Sequence, residues 1–194
     1  MNQIIVRPAL VIVDVQNAID DPVWGPRNNP GAETTMSELL ELWRNKELPI
    51  FHIRHDSTES DSAYRPDQPG NQFKPEVQPL PSETIIAKQT NSAFIGTDLS
   101  QQLVECGCDV VVYMGVITNN SLEATVRMSG NLGFSSFVVS DASWTVDKTD
   151  SSGRRWDAED VHALALANMD GEYATVVDAK ETCEMLGRIE KPNG

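Results

Sequence analysis

Six short apolar runs, Leu10–Val15, Ile50–His55, Thr84–Lys88, Val110–Met114, Ser135–Val139 and Ala174–Val177, alternate along the chain with longer amphipathic stretches. A run that is apolar throughout, instead of at every second residue, is a strand covered on both faces, and strands separated by helices pair in parallel. The pattern therefore predicts an α/β fold: a three-layer α/β/α arrangement around a six-stranded parallel sheet. Between the runs, four sets of residues recur at helical spacing and read as core-facing stripes. They are Met36, Leu39, Leu40 and Trp43; Leu99, Leu103 and Val104; Leu122, Val126 and Leu132; and Val161, Leu164 and Ala165. At 194 residues and 40% hydrophobic content, the chain fits a single domain over 1–194 with a sizeable core. There is no internal repeat, low-complexity tract or linker, and Lys191–Gly194 reads as a frayed tail.

Charge excludes two classes of partner. Lys and Arg total 15 against 29 Asp and Glu, and the net charge of −14 repels nucleic-acid phosphates and anionic membrane surfaces. The apolar run Ala9–Val13 is too brief for a signal peptide, and no segment approaches the ~18 apolar residues that a membrane span requires. Three cysteines cannot all pair and a domain of this size needs no staples, so the expected setting is a reducing cytoplasm.

In an open parallel sheet, ligands sit beyond the carboxyl ends of the strands. Asp14, His55, Lys88 and the turn Gly115–Ser121 fall at such ends. Cys106 and Cys108 precede the fourth run and belong to the opposite edge, while Cys183 lies on a terminal helix; all three read as small, buried, inert thiols. Two connections are too long and polar to be mere links. Asp56–Glu83 carries five prolines and Asp141–Asp157 carries Trp144 and Trp156. Such loops are lids or binding loops, or else surface excursions and oligomer contacts.

Ser121 follows Thr118 and Asn119, either of which suits a helix N-cap, so its hydroxyl is expected on a first helical turn where developing negative charge is favoured. A plain first-turn serine has the same local pattern. Asp14 closes an otherwise apolar strand and needs a partner to stay charged, and Lys88 is the available cation. The pair reads as a general acid or base with its supporting ammonium, or as an internal salt bridge without a catalytic role. His52 is expected to be packed within a strand and His162 to lie on an amphipathic helix, which leaves only His55 at the active edge. With no second histidine at ligand spacing, no metal site is expected, and a Ser-His-Asp triad has no placed histidine.

These segments together resemble the isochorismatase-like family, also called the cysteine hydrolase or nicotinamidase-related superfamily. The likeness rests on Val-Ile-Val-Asp14-Val-Gln16-Asn17, on Lys88 with Ser92-Ala93-Phe94, and on Gly115-x-x-Thr118-Asn119 with Glu123-Ala124-Thr125-x-Arg127 and Gly133-Phe134. It implies the isochorismatase-like hydrolase fold, assembly as a dimer or tetramer, and no cofactor. By position, Asp14 corresponds to the base and Lys88 to its cation, in a mechanism where a cysteine attacks an amide carbonyl and a thioester is hydrolysed. Ser121 stands where that cysteine is expected. The resemblance also implies a cis peptide between Val116 and Ile117, with the amides of Ile117 and Ser121 as oxyanion donors. The segment Phe51–His55 does not reproduce the metal-binding pattern of nicotinamidases, which disfavours nicotinamide hydrolysis.

Three functions remain open at this point. The first is cleavage of an enol ether, as in true isochorismatases, with Asp14 as general acid. The second is hydrolysis of an amide or carbamoyl group with Ser121 as nucleophile, and the third is a binding or regulatory protein that keeps the fold without turnover. Substrate-binding candidates on active-edge loops are Gln16, Trp24, His55, Tyr64, Arg65, Phe94 and Trp156, each with loop packing as its alternative reading. Arg127, about two turns into its helix, reads as structural or as a subunit contact.

Overall fold

The computed structural model describes residues 7–188; the expected tail at Lys191–Gly194 lies outside them. Strands β1 (Ala9–Val13), β2 (Ile50–His55), β3 (Thr84–Lys88), β4 (Val110–Val116), β5 (Ser135–Trp144) and β8 (Thr175–Val177) form one sheet, and β6 (Lys148–Thr149) and β7 (Arg155–Trp156) pair separately. Five helices intervene: α1 (Ala32–Asn45), α2 (Leu99–Glu105), α3 (Glu123–Asn131), α4 (Ala158–Met169) and α5 (Ala179–Gly187). The large sheet is parallel throughout and ordered β3-β2-β1-β4-β5-β8.

Burial follows strand position. Every residue of β1 and all but the first of β4 are buried, as befits central strands with both faces covered. Edge strand β3 alternates instead, exposing Ile85 and Ala87 and burying Ile86 and Lys88. On one face, Leu10, Ile12, Val112 and Met114 pack against Met36, Leu39, Leu40 and Trp43 of α1 and Leu186 of α5. On the other, Val11, Val13, Val111 and Tyr113 meet Leu99 and Leu103 of α2, Val126 of α3 and Met169 of α4.

The helical stripes were narrower than expected. Met36, Leu39, Leu40 and Trp43 are all buried, but Val104, Leu132 and Leu164 are at least half exposed, each on the outer side of its helix or just past its end. Strand limits also shifted. β1 stops at Val13 because Asp14 takes a left-handed conformation (φ 55°). β5 runs on to Trp144, bulging against β4 between Tyr113 and Gly115, so the first residues of the connection at 141–157 belong to the sheet and its middle is the β6–β7 hairpin. The proline-rich connection is pinned to the β1 exit, since Lys74 N–H donates to Val15 O (3.1 Å) and Asn17 N–H to Gln72 O (2.8 Å). The buried Asn71 side chain ties it further to His55 O and Tyr64 O.

The chain leaves β1 toward β2 and β3, then crosses back so that β4, β5 and β8 extend the other side. The order reverses between β1 and β4, where a crevice opens beyond the carboxyl ends. Gly115 sits opposite Val13 in this seam with φ 133°, and a Cβ there would lie 2.3 Å from Val13 O. No side chain fits. Gly115→Ala is therefore expected to cost at least about 2 kcal/mol of stability, read as a lowered urea midpoint; an unchanged midpoint contradicts this close approach.

All three histidines are held neutral by the fold. Burial is the largest cause in each case and pushes the imidazoles of His52, His55 and His162 below their ordinary pKa. The unfolded chain, with histidines near ~6.5, takes up these protons first as pH falls. Their contribution is thus complete above about pH 7 and is lost as pH drops below that unfolded value. Glu33 and Glu83, lowered to about 2 against the cost of burial, by Arg27 and Lys74 and by Arg44 respectively, add a second loss below about 4.5. Urea unfolding at pH 5.5 is expected to show a lower midpoint than at pH 7.5, and equal midpoints would contradict burial of these rings.

Candidate active site

Asp14 is presented by the end of β1. Its left-handed backbone, which Asp tolerates better than most residues, lets its N–H donate to Ile53 O (3.1 Å) while the side chain leaves the strand line. The carboxylate is buried. Oδ2 accepts from Lys88 Nζ at 2.7 Å, and Oδ1 takes no hydrogen bond from the described residues. Lys88 arrives from the end of β3 with its side chain fully enclosed, and its ammonium also donates to Thr90 O (3.0 Å) and Ser121 Oγ (3.4 Å). One buried cation thus connects the acid and the hydroxyl.

Ser121 comes from the turn after β4. The peptide Val116–Ile117 is cis, and residues Thr118–Leu122 then make a wide helical turn with non-helical Asn119 and Asn120 before α3 begins. Neither Thr118 nor Asn119 caps this turn, contrary to expectation. Thr118 Oγ1 lies 2.8 Å from His162 Nδ1, and Asn119 Oδ1 accepts from the Thr145 hydroxyl. Both side chains are anchored sideways, to α4 and to the segment after β5. Thr125 Oγ1 donates to Ser121 O (2.7 Å) and accepts from Ala93 N–H (3.0 Å), which joins the turn to the segment after β3. Asn29 donates to Ser140 O and Ser143 O beside His162. The structural support is therefore a buried polar shell, in which His162 faces Thr118 from α4, the amphipathic helix on which it was expected.

These residues open into a cavity of about 340 Å³. Asp14, Ser121, Val116 and Ile117 line its floor, and Trp24, His55 and Tyr64 line its wall. Trp24 and His55 each meet Tyr64 edge-on, at 6.4 and 5.7 Å between ring centroids. Burial, with Asp14 nearby, raises the Tyr64 phenol above its ordinary range, so it stays protonated. The remaining expected binding residues lie elsewhere. Gln16 is fully buried behind the wall, exchanging hydrogen bonds with the His55 backbone and donating to Asn71 O. Arg65 is exposed and donates to Ser60 O; Phe94 stacks on Phe134; Trp156 bonds Asp150 under Arg154. Arg127 pairs with Glu123 and lies 4.7 Å over the Tyr173 ring.

Sequence reasoning missed the polar wall. Ser57, Thr58, Glu59 and Ser62 from the proline-rich connection, with Gln89, Asn91 and Asn120, complete the cavity. Their only signal was adjacency to Asp56, Lys88 and Ser121 in a loop already marked as long. A larger open cleft of about 740 Å³ lies at the other end of the sheet, around Arg44, Glu83 and Cys106. It is beyond the amino ends of β2 and β3, where this architecture does not place its chemistry.

Comparison with known proteins is specific. Residues 8–181 match the Isochorismatase domain family. The chain is 41% identical over 171 residues to the isochorismatase family protein YrdC of Bacillus subtilis (strain 168), covering 88% of this chain and 91% of that one. Among solved structures, it superposes on a protein of the isochorismatase family from Chromobacterium violaceum ATCC 12472 with a TM-score of 0.92 at 55% identity, covering 94% and 95% of the two chains. An isochorismatase from Pseudomonas putida KT2440 gives 0.82 at 29% identity, covering 90% and 89%. The parallel six-stranded sheet and the extent of these matches make the chain a member of the isochorismatase family of hydrolases.

Proposed function

We propose that the chain hydrolyses a carbon–nitrogen bond in a small, uncharged carboxamide or carbamoyl compound, with Ser121 as nucleophile and Asp14 as proton carrier. The observation that carries this reading is the charge of the cavity wall. No Lys or Arg is among the residues lining the cavity, Asp14 and Glu59 are carboxylates, and the rest are amides, hydroxyls and aromatic or apolar groups. A dicarboxylate such as isochorismate would meet no cation there, since the Lys88 ammonium is enclosed and bound to Asp14. An uncharged amide would find donors and acceptors in Gln89, Asn91 and Asn120.

In this mechanism Lys88 holds Ser121 Oγ and Asp14 Oδ2 together, leaving Oδ1 to take the serine proton as Oγ attacks the carbonyl carbon. The amides of Ile117 and Ser121 receive the developing oxyanion, an arrangement in which one donor is typically worth a hundredfold or more in rate. Asp14 returns its proton to the departing nitrogen, the C–N bond breaks, and an acyl-serine remains. Water, deprotonated by Asp14, then adds to the ester carbonyl, the bond from the acyl carbon to Oγ breaks, and Asp14 returns the proton to Ser121 Oγ as the acid leaves. An alcohol is harder to activate than the cysteine expected at this place, whose reference pKa is about 8.5, so the reading makes a directional demand on the nucleophile.

Turnover should be measured on a panel of small carboxamides and carbamoyl compounds and on isochorismate. Amide hydrolysis is expected, with Asp14→Asn and Ser121→Ala each lowering kcat on the order of a thousandfold and Ser121→Cys retaining or raising it. Isochorismate cleavage that survives Ser121→Ala and is lost in Asp14→Asn would replace this reading with the enol-ether one. Absence of turnover in every version would leave a binding protein.

A further inference from the structure

Cys106 and Cys108 flank Gly107 where α2 hands the chain to β4, at the sheet edge opposite the cavity. Their sulfurs are 2.9 Å apart, in direct contact with no atom between them, where a covalent S–S bond needs ~2.05 Å. Gly107, at φ 69° and with open space where a Cβ would project, turns the chain between them. Residues two apart in a turn fall within the ~4.4–6.8 Å Cα separation that disulfides span. Of three thiols expected to be buried, only Cys108 is, at 1% exposed; Cys106 is half-buried and Cys183, on α5, is exposed.

We propose that Cys106 and Cys108 form a redox-active dithiol that closes to an intrachain disulfide by exchange with a low-molecular-weight disulfide and reopens by the reverse reaction. The two sulfurs have different parts. Cys106 lines the open cleft of about 740 Å³ and is the one a solute reaches. Burial and the Cys106 sulfur push the Cys108 thiol up to about 12, so it is not the first nucleophile. The Cys106 thiolate attacks one sulfur of R–S–S–R, forming a mixed disulfide and releasing a thiolate that takes up a proton. The Cys108 thiol then gives up its proton as its sulfur displaces the second R–S group from Cys106. The protein loses two electrons and two protons, and the small disulfide is reduced to two thiols. Closure across a single intervening residue leaves a tight ring, and strained disulfides of this kind are the labile ones.

The test uses the full chain carrying Cys183→Ser, reduced, freed of reductant and exposed to oxidised glutathione. The expected product has lost two hydrogens by intact mass, with the bond mapped to the peptide holding Cys106 and Cys108. Adding Cys108→Ser should instead trap one glutathione on Cys106. A persistent glutathione adduct with both cysteines present, or two thiols still free when a small dithiol in the same solution has oxidised, would overturn the proposal. Circular dichroism of both variants confirms that the native chain is being read.

Discussion

The contact on which the site depends is the buried pair between Asp14 and Lys88. Each residue closes a strand, β1 and β3, with β2 between them, and neither side chain is accessible enough for water to solvate its charge. Two charges removed from water cost several kcal/mol apiece unless they meet in good geometry with their remaining bonding capacity filled. Lys88 fills its own through Asp14, Thr90 O and Ser121. Asp14 leaves one oxygen without a protein donor, and that oxygen belongs to a residue lining the cavity. The pair therefore stabilises its own geometry and keeps an acceptor where a proton would be handled.

Everything else in the site holds that pair against the turn after β4. Parallel pairing of β1 with β4 sets Val13, the residue before Asp14, against Gly115, and the contact there is tight enough to admit only glycine. The turn is then anchored from outside by His162 and Thr145 and from beneath by Thr125. Gln16 and Asn71 brace the proline-rich connection so that its hydroxyls form a wall instead of a mobile excursion. The sheet sets the distances, and buried polar contacts from four separate segments set the orientations.

Much of this was legible from the residues. The alternation of apolar runs specified the sheet because strands such as β1 and β4 are buried on both faces and so read as unbroken apolar stretches. Asp14, Lys88 and Ser121 stood out because each interrupts or follows such a run at the edge where ligands bind. The supporting shell was not legible, since Thr118 with His162 and Asn119 with Thr145 are partners across 44 and 26 residues, and a local capping rule explained the same side chains. Gln16, Arg65, Phe94 and Trp156 share loops with the site, yet loop membership does not say which way a side chain turns. The helical stripes failed most clearly at Val104, Leu132 and Leu164, where apolar residues extend past the buried face.

The central claim is that Asp14 and Lys88 form one electrostatic unit, and a double-mutant cycle on stability tests it most directly. Asp14→Asn leaves the ammonium buried without its counter-charge, and Lys88→Met does the same to the carboxylate, so each alone should cost about 3–5 kcal/mol. The double variant should cost no more than either single one, a coupling of several kcal/mol. If the two losses simply add, the charges do not depend on one another and the account of the site is wrong.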